Sequence, residues 1–181
     1  MALIVCPLHL VEEMATTHAP SHILTLIGPA AGPPSCAAAP DARRLHLLFN
    51  DIVEPAEGLI LPSAEHVAEL LAFGRAWDRT APMLVHCWAG ISRSTAAAYI
   101  LACDRKAPGA ERDLAHRLRA ASPTATPNRL LIALADEALG RNGAMIDAID
   151  AIGPGLAAAA GKPFVLKLDN DLSSGATLGR S

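Results

Sequence analysis

One short stretch of the sequence, residues 86–94 with the letters HCWAGISRS, brings together a thiol, a glycine and an arginine. Cys87 is a potential nucleophile, and Arg93 follows it within the same stretch. A glycine such as Gly90 lets the backbone curve so that successive amide N–H groups point inward at the oxygens of an anion. The planar guanidinium of Arg93 can hold two of those oxygens at once. These residue types at this spacing predict a cradle for a phosphate dianion with a thiol at its centre.

Such a cradle would also activate the thiol. Amides, a helix N-terminus and a guanidinium all stabilise negative charge, so we expect Cys87 to react as a thiolate at neutral pH. Each residue also has an ordinary interpretation: Cys87 as a buried core thiol, Arg93 as a solvated surface charge, and Ser92 and Ser94 as a helix cap. The combination of these residues between a strand and a helix favours the anion site.

Two predicted elements position this stretch. Residues 82–86 (PMLVH) are short and apolar, which predicts a central buried strand, and residues 94–103 are Ala-rich and apolar on all sides, which predicts a buried helix. The stretch between them therefore lies at the carboxyl end of a strand, where α/β sheets bind ligands. It also forms the N-terminus of a helix, whose free N–H groups bind anions.

The rest of the chain predicts further strands and helices around this unit. Apolar runs predict strands in residues 1–10, 22–27 and 43–49, and helical spacing predicts helices at 11–18, 63–77, 110–121 and 126–140 and a short one around 145–152. In the helix at 126–140, Thr126 is the expected N-cap and Pro127 the first helical residue. The expected fold is α/β with three layers, a central and mostly parallel sheet of about four to five strands with helices on both faces.

The end of the sequence has a different character. We expect a single domain over residues 1–160 and a C-terminal extension over residues 161–181. Within the extension, residues 164–168 predict an added edge strand. The Ser- and Gly-rich end after Asp171 is expected to be mobile.

The composition indicates a globular domain and argues against several partners. Hydrophobic residues make up 51% of the chain and charged residues 18%, so the chain should fold by itself. The 15 Lys and Arg residues nearly balance the 18 Asp and Glu residues without a long basic run, which argues against nucleic acid as a partner. The sequence has no apolar stretch of membrane-spanning length, and its first residues lack the basic segment of a secretory signal.

The four cysteines, at positions 6, 36, 87 and 103, include no CxxC pair. They also show no metal-ligand spacing with the seven histidines, so we expect free thiols in a reducing cytoplasm, with no metal and no cofactor. On mild oxidation an activated Cys87 could pair reversibly with Cys6 or Cys103. The simpler interpretation is that both of these cysteines are small core residues.

The stretch HCWAGISRS resembles the His-Cys-x5-Arg-Ser/Thr loop of the protein tyrosine phosphatase superfamily, in particular its compact dual-specificity branch. The similarity extends over roughly residues 22–140. The resemblance implies that Cys87 forms a phosphocysteine intermediate, that Arg93 binds its phosphate, that Ser94 helps the intermediate break down and that His86 orders the loop. The phosphate-binding residues it implies are Trp88, Ala89, Gly90, Ile91, Ser92 and Arg93.

The resemblance also implies a general acid on an upstream loop that follows a strand. Asp51 in the segment FNDIVEP occupies that place, and its alternative interpretation is a turn-forming residue. Glu54, Glu57 and Asp78 are competitors, but Asp51 follows the strand most directly. Asn128 matches an Asn that buttresses the phosphate loop in relatives, and capping its own helix is an equally good interpretation.

The resemblance leaves the substrate open. No phosphotyrosine-recognition loop and no second-step Gln of the larger tyrosine-specific enzymes is recognisable, and the mid-chain nucleophile excludes the low-molecular-weight branch. Trp88, Ala89 and Ile91 carry no charge, which disfavours an inositol headgroup. We expect a phosphorylated protein or a small phosphoester as substrate. The alternatives are a catalytically inactive phosphate-recognising module, a phosphatase for a non-protein phosphoester such as an inositol phosphate, or rhodanese-like chemistry on a similar anion loop.

Overall fold

The computed structural model describes residues 1–32 and 34–168, which form five strands and six helices. The strands are β1 (Ala2–Pro7), β2 (His22–Ile27), β3 (Arg43–Leu48), β4 (Met83–Cys87) and β5 (Phe164–Lys167). The helices are α1 (Val11–His18), α2 (Ala64–Ala76), α3 (Arg93–Asp104), α4 (Glu111–Ala121), α5 (Arg129–Ala138) and α6 (Ala144–Ile152). Single 3-10 turns lie at Leu8–Leu10 and Pro29–Ala31.

The strands form one sheet in the order β3-β2-β4-β1-β5. The first four strands run parallel, and β5 pairs antiparallel with β1 at the edge. The carboxyl ends of parallel strands lie on the same side of a sheet. In the pairing of β1 with β4, Pro7 lies beside Cys87. The predicted α/β fold with a mostly parallel sheet is therefore confirmed, and Cys87 lies at the carboxyl end of its central strand.

Alternation along the strands separates two hydrophobic layers, because successive side chains in a strand point to opposite faces. On β1, Val5 packs into the larger core, which the apolar residues of α2 to α6 cover, whereas Cys6 packs into the smaller core beneath α1. On β4, Cys87 belongs to the larger core and Leu84 to the smaller one. The helices thus cover both faces of the sheet, as the sequence predicts.

One predicted helix start is wrong. The sequence favours Thr126 as N-cap and Pro127 as the first helical residue, but α5 begins at Arg129 with Asn128 as its N-cap. The Asn128 side-chain oxygen accepts a hydrogen bond from the Leu131 amide at 3.0 Å, which is the contact that defines a cap. Thr126 is used elsewhere, because its amide donates to the Ile91 carbonyl at 2.9 Å.

The C-terminal part of the described chain joins the same sheet. Phe164 and Leu166 of β5 are buried in the larger core, and the Leu168 amide donates to the Met1 carbonyl at 2.9 Å. The end expected to be mobile, after Asp171, lies outside the described residues, and the domain division at residue 160 stays a prediction. None of the helices within residues 1–32 and 34–168 combines the length and apolar character that crossing a bilayer requires.

Candidate active site

The loop between β4 and α3, residues 87–93, is called the phosphate loop below. It begins at Cys87, the last residue of β4, and ends at Arg93, the first residue of α3. Gly90 has a φ of 70°, a conformation that side-chain-bearing residues rarely adopt. A Cβ at this position would also lie 2.7 Å from the Pro7 nitrogen and 2.9 Å from the Cys6 carbonyl carbon. The curvature of the loop and its contact with β1 therefore both require glycine here.

Amides from distant parts of the chain hold carbonyls of the phosphate loop, three of them at 3.1 Å or less. The pairs are Leu8 N–H to the Trp88 carbonyl at 3.1 Å, Gly161 N–H to the Ala89 carbonyl at 2.8 Å, and Thr126 N–H to the Ile91 carbonyl at 2.9 Å. In a trans peptide the C=O and N–H point in opposite directions, so fixing these carbonyls outward directs the following amides inward. The Gly90 amide confirms this, because its nitrogen lies 3.2 Å from the Cys87 Sγ.

Cys87 lies at the floor of the phosphate loop and is only 1% exposed. Its Sγ lies 3.2 Å from the Gly90 nitrogen and 3.1 Å from the Ser94 Oγ, so an amide and a hydroxyl both converge on the sulfur. Ser94 is itself fully buried in the first turn of α3. This arrangement stabilises negative charge on sulfur, which is what a thiolate nucleophile needs.

Arg93 returns its guanidinium towards the same loop. One terminal nitrogen donates to the Phe49 carbonyl at 2.8 Å, which holds the side chain against the end of β3. The Nε is buried, lies 3.7 Å from the Asp51 Oδ2 and has no hydrogen-bond partner among the described residues. A buried charged donor of this kind is costly unless an anion accepts its hydrogen bond, so Arg93 suits a phosphate-binding role.

Asp51 lies in the loop after β3 and contacts the phosphate loop, which follows β4. It does so although β2 lies between β3 and β4 in the sheet. Its Oδ1 accepts hydrogen bonds from the Ser92 hydroxyl at 2.7 Å and from the Asn128 side-chain amide at 2.8 Å. Its Oδ2 faces Arg93, and about a third of the side chain, 34%, is exposed. The carboxylate therefore lies at the rim of the phosphate loop and is partly open to solvent.

Asn128 has two structural roles at once. Its side-chain oxygen caps α5, as described above, while its side-chain nitrogen donates to Asp51 and, at 3.3 Å, to the Ile52 carbonyl. Its main-chain N–H also lies 3.4 Å from the Ser92 carbonyl. The predicted helix cap is thus present, and Asn128 also contacts Asp51 and the phosphate loop, whereas its role as a buttress of that loop stays a prediction.

The competitors of Asp51 lie elsewhere. Glu54 and Glu57 are exposed on the same loop, and no hydrogen bond or ion pair ties either of them to the phosphate loop within the described residues. Asp78 accepts hydrogen bonds from Thr80 and lies near His22, the first residue of β2. His22 pairs with Met83, the first residue of β4, so Asp78 lies at the opposite end of the strands from Cys87. The geometry excludes Asp78 and favours Asp51.

His86 precedes the nucleophile and is completely buried in β4. Its Nε2 lies 2.8 Å from the Thr25 hydroxyl on the neighbouring strand β2. Burial lowers the pKa of His86 from its ordinary value of 6.5 to about 4. The imidazole is therefore neutral at physiological pH and ties the base of the phosphate loop to the sheet.

The buried imidazole predicts that stability falls in mild acid. Above pH 6.5 His86 is neutral in both the folded and the unfolded chain, but between pH 6.5 and about 4 only the unfolded chain gains the proton. The free energy of unfolding should therefore fall by about 1.4 kcal/mol per pH unit on account of this group, or about 2 kcal/mol between pH 6.5 and 5. Urea denaturation at several pH values measures the slope.

A pair of variants separates His86 from the other titrating groups. His86→Gln should reduce the slope, whereas His9→Gln, at an exposed position, should leave it unchanged. His22 and His46 also have pKa values lowered by burial, so part of the slope should persist in the His86 variant. An unchanged slope in His86→Gln would contradict this account.

The two cysteines considered as partners of Cys87 are remote from it or turned away from it. Ser94 contacts the Cys87 sulfur, and Cys103 lies nine residues further along α3, about 13 Å away at 1.5 Å per residue. A disulfide between Cys87 and Cys103 is therefore excluded in the folded chain. Cys6 lies on the strand next to β4 but packs on the other face of the sheet. Burial raises the pKa of both Cys6 and Cys103 to about 12, and a redox role for Cys6 stays a prediction.

Solved structures share this fold. DUSP15 is 20% identical and has a TM-score of 0.61, covering 83% of this chain and 92% of its own. Human DUSP28 is 23% identical with a TM-score of 0.58, covering 76% and 90% of the two chains. The phosphatase domain of Yvh1 from Chaetomium thermophilum is 17% identical with a TM-score of 0.54, covering 79% and 93%. No family model matches this sequence, and no curated protein matches it significantly. The chain therefore has the fold of the dual-specificity phosphatases, as the HCWAGISRS stretch predicts.

Proposed function

We propose that this protein is a cysteine-dependent phosphomonoester hydrolase that works through a phosphocysteine intermediate. The observation that carries the proposal is the convergence of a buried thiol, an inward amide and a buried guanidinium on one loop. The Cys87 Sγ lies 3.2 Å from the Gly90 nitrogen, and the unpartnered Nε of Arg93 belongs to the same loop. Such a cradle suits the three equatorial oxygens of a phosphoryl group in transfer.

In the first step the Cys87 thiolate attacks phosphorus in line with the ester oxygen. The S–P bond forms and the P–O bond to the leaving group breaks. Asp51 donates its proton to the departing oxygen, so the leaving group departs as an alcohol or phenol. Inward amides and Arg93 hold the equatorial oxygens while charge redistributes among them.

In the second step water attacks the phosphocysteine. Asp51, now a carboxylate, accepts a proton from this water as the new P–O bond forms and the P–S bond breaks. The Ser94 hydroxyl, 3.1 Å from the sulfur, can donate a hydrogen bond to the departing thiolate. Inorganic phosphate leaves, and the proton taken from water restores the protonated Asp51 beside the thiolate of Cys87. This scheme uses no metal and no cofactor.

The burial of Cys87 and the residues around it support one class of substrate. Because Cys87 is almost completely buried, the phosphate must be carried on an arm that reaches the floor of the loop. Trp88 is 62% exposed beside it and is an apolar surface for that arm. Uncharged Trp88, Ala89 and Ile91 offer no counter-charge for several phosphates, so we favour a phosphorylated protein or a small phosphoester over an inositol phosphate. We place the protein in the cytoplasm because its cradle requires a reduced thiol.

The second candidate function is a phosphate-recognising module without turnover. A binding module needs the amides and Arg93 but has no use for a carboxylate and a hydroxyl at reacting atoms. Asp51 at the rim and Ser94 at the sulfur are both in place, which favours an enzyme. The same two residues favour phosphate chemistry over rhodanese-like sulfur transfer.

Steady-state hydrolysis of p-nitrophenyl phosphate tests the proposed function. The expected result is turnover that an excess of EDTA leaves unchanged and that vanadate inhibits. Binding of vanadate without any turnover would identify a recognition module instead. Turnover that EDTA abolishes would overturn the metal-free scheme.

A further inference from the structure

The chain between α6 and β5, residues 153–163, forms no helix or strand, yet it is fixed at both ends. It is called the C-terminal strap below. At its start, the Leu156 amide donates to the Pro123 carbonyl at 2.9 Å and Arg119 donates to the Gly153 carbonyl at 2.7 Å. At its end, the strap runs directly into β5, which pairs with β1. Between these two attachments the strap passes the phosphate loop.

The contact is made by Gly161, which is buried against the phosphate loop. Its N–H donates to the Ala89 carbonyl at 2.8 Å. A Cβ on this residue would lie 2.9 Å from the Gly90 carbonyl oxygen and 3.4 Å from the Thr124 hydroxyl. The first distance is shorter than side chains tolerate against backbone, so this close approach of strap and loop requires glycine.

The bond to Ala89 acts on a peptide unit that also faces the nucleophile. The Ala89 carbonyl and the Gly90 N–H belong to one planar peptide and point in opposite directions. Gly161 holds the carbonyl end, and the amide end lies 3.2 Å from the Cys87 Sγ. Rotation of this peptide would remove one donor from the sulfur and from a bound phosphate at the same time.

We infer that Gly161 is a positioning residue of the active site, which holds the Ala89–Gly90 peptide so that its N–H points at the nucleophile and the phosphate. This inference rests on the proposed function, because Gly161 can support catalysis only if the protein is a phosphatase. The C-terminal strap then supports the conformation of the phosphate loop, although it lies far from that loop in sequence.

The test compares two Gly→Ala variants of the same strap. Gly161→Ala drives a methyl group into the Gly90 carbonyl, whereas Gly153→Ala strains a backbone of φ 64° but has no atom within 4 Å of its new Cβ. The control should therefore strain the strap without touching the phosphate loop. Two readouts that need no turnover are used: the Kd of vanadate, and the alkylation rate of Cys87 by iodoacetamide, located by mass spectrometry.

Gly161→Ala should weaken vanadate binding about 10-fold and slow alkylation of Cys87 by a similar factor, as expected from one lost hydrogen bond to a charged group. Gly153→Ala should stay within about 2-fold of the wild type in both readouts. Thermal melting checks that the two variants remain folded. Equal effects of the two variants, or no effect of Gly161→Ala, would overturn the inference. Absence of p-nitrophenyl phosphate hydrolysis by the wild type would instead overturn the proposed function.

A measurement on the unmodified protein covers the case in which Gly161→Ala does not fold. In a ¹H–¹⁵N spectrum the Gly161 amide should exchange slowly with solvent and should shift on addition of vanadate. The Gly153 amide, which donates to the Asp150 carbonyl at the end of α6, is the internal reference and should not shift. Rapid exchange of the Gly161 amide, or a shift no larger than that of Gly153, would contradict the positioning role.

Discussion

Cys87→Ser should abolish hydrolysis of p-nitrophenyl phosphate while vanadate binding persists. An alcohol at this position is not ionised at neutral pH and cannot attack phosphorus, so we expect kcat to fall by at least ~10⁴-fold. The amides and Arg93 that we propose as holders of the phosphate oxygens are unchanged by this substitution, and serine is close to cysteine in size. Steady-state kinetics and vanadate titration of the same preparation measure the two effects separately.

Cys103→Ser is the matched control for that experiment. It makes the same chemical change at a buried cysteine of α3 that lies about 13 Å from the reacting sulfur. Its kcat should remain within about 3-fold of the wild type even if its stability falls. If Cys87→Ser kept more than a few per cent of the wild-type turnover, Cys87 could not be the nucleophile.

The second large effect is expected for Asp51→Asn with poor leaving groups. A nitrophenolate can depart without a proton, but a phenolate or an alkoxide cannot, so the loss of kcat should grow with leaving-group pKa, towards ~10²–10⁴-fold. Asparagine retains an oxygen that can accept the hydrogen bonds from Ser92 and Asn128, so the loop should keep its position. A series of aryl and alkyl phosphates measured at one pH gives the dependence.

Glu54→Gln and Glu57→Gln are controls on the same exposed loop. Each removes one carboxylate without changing the hydrogen bonds of Asp51, so neither should change the leaving-group dependence. An equal loss of rate by Asp51→Asn for every leaving group would show that the carboxylate only supports the loop. The general acid would then have to be Glu54 or Glu57.

The core of the site is predictable from sequence because its signals are local. The apolar run before Cys87 suits a buried strand better than a helix end, Gly90 marks the tight curve, and the Ala-rich run after Arg93 is typical of a buried helix. These three facts place the thiol, the amides and the guanidinium together without any long-range information. The placement of Asp51 needs more, since it depends on the strand order β3-β2-β4 and on the contact with Ser92.

The anchors of the phosphate loop could not be predicted in the same way. Leu8, Thr126 and Gly161 act through their main-chain N–H groups, which nearly every residue type possesses, so their side chains carry no signature of the role. Thr126 is even misleading, because its place before Pro127 is typical of a helix cap. Of the three, only Gly161 requires a particular residue type, because a side chain would not fit there. A glycine after a run of alanines is, however, equally typical of an ordinary surface turn.

The three anchors also determine when the site can form as the chain folds. The phosphate loop lies in the middle of the sequence, but the amides that fix its carbonyls come from both ends of the described chain and from the segment before α5. Contacts between residues so far apart in sequence are expected to form late in folding. Closing a long loop costs conformational entropy before the contacts it allows can stabilise the chain. During synthesis from the N-terminus, the loop lacks the Gly161 anchor until the segment before β5 has emerged. A chain that has not yet reached that point carries Cys87 in a loop that still lacks one of its supports. We therefore expect the thiol to gain its full reactivity only when the fold is complete.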